Sequence, residues 1–168
     1  MIILPPLILD QDALQEPGAT LLEAHKWQPE LGVRVFIADK NNLSKQRWAQ
    51  LSPGFFLHHG NAWEETDDTI HLDLCWSKGP ELLFGALRNV MRGAITPAGN
   101  GTPHYANVKL PPGRDGVIEV ASNIMEITKI TPRVVGQRHN YVYGLSAAET
   151  NAFPFNQLFK RNLASGDT

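Results

Sequence analysis

Two adjacent imidazoles in an apolar run are the residues of this chain best suited to chemistry. They lie in Phe55-Phe56-Leu57-His58-His59-Gly60-Asn61-Ala62-Trp63, and four acids follow at Glu64, Glu65, Asp67 and Asp68. Neutral imidazole is a ligand that redox metals use readily. Strand alternation would place His58 on the face of Phe56, and His59 on the opposite face with Phe55, Leu57 and Asn61. Only one of the two histidines would then serve any single metal. Glu126 is the only acid in Ile124-Met125-Glu126-Ile127. A carboxylate buried there needs a partner, and a histidine N–H would serve. Each feature also has a plainer reading: a packed core histidine, a solvated acidic turn, an exposed strand glutamate.

Other chemistries have less support. Of the six histidines, His71 sits among alternating neighbours, and His25, His104 and His139 fall in loops or at strand starts. There is no second cysteine, no His-Glu-x-x-His and no close His-x-His, which excludes a zinc finger or a zincin. The chain has no Gly-x-Ser-x-Gly elbow and no phosphate-cradling glycine loop. The single cysteine, Cys75, excludes an internal disulfide and reads as a packed thiol on a strand.

The elements that must position these residues are mostly strands. Thr69-Ile70-His71-Leu72-Asp73-Leu74-Cys75-Trp76 alternates polar and apolar residues, so with the preceding run it predicts a hairpin whose turn holds the acids. Further strands are predicted around Val33–Ala38, Gln46–Leu51, Ala106–Leu110, Val117–Val120, Asn140–Gly144 and Phe155–Ala164, with an extended segment over Asn123–Arg133. Thr20–His25 suggests one helical turn. Glu81–Arg92 is the one good helix, with Pro80 at its start, arginines near its end, and Leu83, Leu87, Val90 and Met91 on one face. About eight short strands and one helix fit a sandwich, barrel or propeller.

Composition sets the remaining bounds. A chain of 168 residues with net charge −2 is one domain's worth, and nothing in its charge argues for nucleic acid. The apolar opening Met1–Leu9 is short, interrupted by Pro5 and Pro6, and lacks a basic start, so it reads as an edge strand rather than a span or signal.

Three segments, in order, resemble the carotenoid oxygenase family: the carotenoid and apocarotenoid cleavage dioxygenases, lignostilbene dioxygenases and the retinoid isomerase. The first is Trp27-x-Pro29-Glu30-x-Gly32-x-Arg34 with Ile37-Ala38-Asp39-Lys40. The second, Phe56-Leu57-His58-His59-Gly60-Asn61-Ala62-Trp63-Glu64-Glu65, is similar to the family's Phe-His-x-x-Asn-Ala-aromatic-Glu block. The third is Glu126-Ile127-Thr128-Lys129-Ile130, then Gly136-Gln137-Arg138 and Tyr141-Val142-Tyr143; here Thr128 and Lys129 stand where proline and arginine are usual.

The resemblance implies an all-β fold, a partial seven-bladed β-propeller of about two to three blades with one short helix. Residues 1–168 would be a fragment of a single propeller domain. It implies an Fe(II) dioxygenase that splits a conjugated C=C bond of a carotenoid, apocarotenoid or stilbene with O2. His58 would be one of four histidine ligands, and Glu126 the carboxylate that orients it. The resemblance also implies a cytoplasmic protein with peripheral membrane contact. The upstream histidine motifs and the C-terminal one are not found, so this stretch would carry one ligand and be inactive alone. Two rival readings remain. One is a non-catalytic propeller remnant or binding module. The other is a cupin-type barrel using His58 or His59 with Glu64 or Glu65, although its histidine motifs are missing.

Overall fold

A computed structural model describes residues 1–147 and 154–168, which form a series of antiparallel sheets. Two short strands open the chain, β1 (Ile2–Leu4) and β2 (Leu7–Leu9). The expected helical turn is present, closed by the Ala24 N–H donating to Thr20 O at 3.1 Å, and strand β3 (His25–Trp27) follows directly and pairs with β2. Next, β4 (Val33–Asp39) and β5 (Asn42–Leu51) form a long hairpin, with β1 on the free edge of β4.

The centre is a four-stranded meander in simple sequence order: β6 (Phe55–Glu64), β7 (Ile70–Ser77), β8 (His104–Leu110) and β9 (Val117–Ile124). A last three-stranded sheet holds β10 (Glu126–Lys129), β11 (Tyr141–Ser146) and β12 (Gln157–Asn162). The described residues thus carry twelve strands, more than the eight expected: the opening segment splits into β1 and β2, and β3 and β10 are only three and four residues long, too short for a period to be read.

Alternation along β7 and β8 explains how the central sheet is buried on both faces. Leu72, Leu74 and Trp76 on β7, with Ala106, Val108 and Leu110 on β8, meet Val33, Val35, Ala49 and Leu51 of the β4–β5 hairpin. The intervening residues turn the other way: Tyr105 packs with Met125 and Val142 against the β10–β12 sheet. Sheets stacked face to face through consecutive meanders are the architecture of propeller blades. One blade is complete here, with parts of others on either side.

The helical segment between β7 and β8 differs from expectation. Leu82–Leu87 is wound as a π-helix before one α-helical turn, α1 (Arg88–Met91). Leu82 and Ala86 are its buried residues, Leu87 packs against them, and Val90 and Met91 are exposed. No described helix is long and apolar enough to cross a membrane.

Candidate functional site

The site is set by two irregularities in β6. Phe56 pairs with Trp76, His59 with Leu74 and Ala62 with Leu72. Leu57 and His58 therefore share the place opposite Cys75, and Gly60 and Asn61 share the place opposite Asp73. These are two β-bulges, devices that re-aim side chains. They break the alternation assumed from sequence. His59 and Ala62 join Phe56 on the side of the first core, while His58 and Asn61 both turn toward the β10 segment. The expected grouping of His58 with Phe56, and of His59 with Asn61, is corrected by the bulges.

His58 Nδ1 donates to Glu126 Oε2 at 2.5 Å. The Ile127 backbone N–H donates to the same oxygen at 2.6 Å. The pair is asymmetric: 47% of the His58 side chain is exposed, against 3% of Glu126. The carboxylate is thus sealed behind the ring, and Nε2 is the nitrogen left for another partner. Burial pushes the Glu126 carboxyl above its usual 4.5, opposed by the Ile127 N–H and by His58. Ile127 has φ +54°, a left-handed conformation that a β-branched residue adopts only when its surroundings impose it.

The ring opens onto a cavity of about 370 Å³ lined by residues that include Leu57, His59, Gly60, Ile130 and Val135. Close approach of β6 to β10 depends on Gly60, because a Cβ there would lie 2.6 Å from Thr128 Cγ2. Thr128, one of the two residues that depart from the family pattern, is fully buried and its hydroxyl contacts Cys75 Sγ. Burial raises the Cys75 thiol to about 12, in keeping with a packed, unreactive side chain.

His59 lines the same cavity as its neighbour His58, but the structure does not bring His25, His71, His104 or His139 there. His25 contacts the Leu21 carbonyl, His104 the Ser122 carbonyl, and His71 stacks on Trp63 at 5.0 Å. Glu65 lies near Trp63 and His71, at the far end of β6 from His58. Among the described residues, no group of three or more His, Cys, Asp or Glu is placed to hold a metal ion. His58 fits a metal ligand in the sense that metal-bound imidazoles usually donate their other N–H to a carboxylate. It would be one ligand, and the rest would have to come from elsewhere.

A second polar cluster was missed by sequence reasoning. His139 is buried, not a free loop residue; its Nε2 faces Asp73 Oδ2 at 2.8 Å, and neither atom has another polar partner among the described residues. Tyr105 donates to Asp73 Oδ1 at 2.6 Å. Asn61 reaches His139 from the other side. A signal was present: Asp73 is a charge flanked by Leu72 and Leu74, the same argument that singled out Glu126.

With this geometry in place, comparison with known proteins is decisive. The profile of the RPE65 family, described as retinal pigment epithelial membrane protein, matches residues 1–168, the whole chain. The chain belongs to the RPE65 family. This is the carotenoid oxygenase family that the three sequence blocks resemble.

Solved structures agree on the fold. Cobalt-substituted Synechocystis ACO superposes with TM-score 0.80 at 19% identity, covering 98% of this chain and 34% of that one. A D477G ACO/RPE65 chimera superposes with TM-score 0.77 at 18% identity, with the same coverage. A point mutant of Synechocystis apocarotenoid oxygenase gives TM-score 0.68 at 21% identity, over 86% of this chain and 30% of that one. At such identities the likeness is one of fold, and the fold is part of their propeller. The RPE65-family chain spans about a third of the length of the structures it matches. No curated protein matches it.

Proposed function

We propose that this chain is a part of a single propeller domain that cleaves a conjugated C=C bond of a carotenoid or apocarotenoid with O2, and that His58 is its contribution to the iron centre. The observation that carries the reading is the His58–Glu126 pair: a half-exposed imidazole whose Nδ1 is fixed by a buried carboxylate. Membership of the family supports the reaction class. One structural relative is a cobalt-substituted ACO, which supports a metal centre in this fold.

Fe(II) bound at such a centre would supply O2 activation. The residues of this chain do the rest locally. Glu126 holds the His58 ring in one orientation and with its proton on Nδ1, which leaves Nε2 as an electron-pair donor. A carboxylate behind a ligand histidine is worth about 10–100-fold in metal affinity or activity. Leu57, Ile130 and Val135 offer apolar surface beside the ring, suited to a polyene and poor at holding water. A stilbene would suit the same surface, and the reading extends to it. The exposed apolar side chains are consistent with peripheral contact with a membrane, from which such a substrate would be drawn.

One imidazole does not retain iron, so the 168-residue chain by itself should be inactive. The test is anaerobic Fe(II) content and oxygen-dependent apocarotenal cleavage, measured on a complete propeller containing these residues and on its His58→Ala variant. The reading expects stoichiometric iron and aldehyde products that the substitution abolishes. Iron and cleavage that survive His58→Ala would overturn it.

A further inference from the structure

We propose that Asn61, backed by His139 and Asp73, is a positioning residue that clamps the chain after β10 onto β6 and so sets the His58–Glu126 geometry. The purpose of this clamp rests on the reading of His58 as a ligand, while its mechanical action does not.

Asn61 is buried and its side chain uses its polar atoms on the segment after β10. Its Oδ1 accepts from the Gly136 N–H at 2.9 Å. Its two Nδ2 protons are shared among Gln137 O at 2.9 Å, Val134 O at 3.2 Å and His139 Nδ1 at 3.1 Å. The other ring nitrogen, Nε2, faces Asp73 Oδ2 at 2.8 Å, the arrangement that suits a proton on Nε2 and an accepting Nδ1. Asp73 is held in turn by the Tyr105 hydroxyl. The result is a closed path of polar contacts from β6 through the 134–139 loop to β7 and β8.

This path sits beside the site in the chain and in space. Asn61 is three residues beyond His58 on the same doubly bulged strand. The loop it grips is the continuation of β10, whose first residue is Glu126. Between the two, Gly60 lets Thr128 approach the strand. The His58–Glu126 pair and the Thr128–Cys75 contact hold β10 itself, and Asn61 adds an anchor on the segment that follows it. A buried side-chain amide does this well, because leaving any of its partners unmatched is costly.

The test is metal-free. The exchange rate of the His58 Nδ1 proton with water is measured by NMR in the unmodified chain and in Asn61→Asp and His139→Gln. A control is Val33→Ala, a core truncation remote from this contact. The clamp predicts that the folded Asn61 and His139 variants exchange this proton roughly tenfold or more faster, while Val33→Ala leaves it unchanged. Unchanged exchange in folded variants would overturn the proposal. So would equal acceleration in Val33→Ala, which would mean that lost stability alone is responsible. If Asn61→Asp does not fold, His139→Gln decides. If the exchange responds as predicted while iron survives His58→Ala, the clamp stands and the ligand reading falls.

Discussion

Adding one methyl group at Gly60 should separate the strands that form the site. An alanine Cβ there would lie 2.6 Å from Thr128 Cγ2 and 3.2 Å from Asp73 Cβ. Carbon atoms pack at about 3.5–4.0 Å, so β6 and β10 must part by roughly 1 Å. Overpacking of this kind costs about 1–3 kcal/mol. The same shift would stretch the 2.5 Å contact between His58 and Glu126 to about 3.5 Å, beyond a useful hydrogen bond. A hydrogen bond to a charged group contributes about 1.5–3 kcal/mol, and the losses overlap, so Gly60→Ala should destabilise by about 2–4 kcal/mol. Urea unfolding measures this directly. Thr128→Ser removes the offending methyl while keeping the hydroxyl on Cys75. In the Gly60→Ala background it should therefore restore about 1 kcal/mol or more, although alone it costs stability. A Gly60→Ala chain within about 0.5 kcal/mol of the unmodified one, or strictly additive effects in the pair, would refute the close-approach argument.

Three further outcomes follow from the same packing. Cys75, raised to about 12 by burial, should resist a thiol reagent at pH 8 until denaturant opens the chain; labelling at the rate of a free thiol would contradict its placement. Glu126 has a folded-state pKa above 4.5, so its contribution to stability is fully present below that pH and is lost as pH rises through the folded value. Glu126→Gln should thus gain stability relative to the unmodified chain as pH rises above the ordinary carboxyl value, and urea midpoints that show a constant or opposite difference would count against it. Leu158 on β12 is 91% exposed, so Leu158→Lys should change stability by less than about 0.5 kcal/mol, whereas Leu74→Ala in the core should cost about 2–5 kcal/mol.

Much of this arrangement was legible in the chain itself. The central hairpin is visible because β7 alternates cleanly, and the Glu126 argument works because a lone acid in an apolar strand must find a partner. The family blocks then point to His58 and Glu126 across 68 positions, and the structure brings the two together. What sequence did not disclose is where alternation fails. Bulges add residues without changing composition, so strict alternation assigns His58 and His59 to the wrong faces. In the π-wound segment Leu82–Leu87 the expected Leu87 does pack on the core, but the fully buried positions are Leu82 and Ala86, and Val90 and Met91 are exposed. His139 was passed over because a histidine before a strand carries no mark of burial. Only the fold brings it to Asp73, which is the residue that sequence reasoning should have questioned.

The central claim is that Glu126 holds His58 with its proton on Nδ1 and its Nε2 free for a metal. The most direct measurement is the ¹⁵N spectrum of the His58 ring in the metal-free chain, assigned by comparison with His58→Ala. The account predicts a protonated Nδ1 and a bare Nε2, with that preference weakened in Glu126→Ala. A proton on Nε2 with Nδ1 bare, or a tautomer indifferent to Glu126, would contradict it.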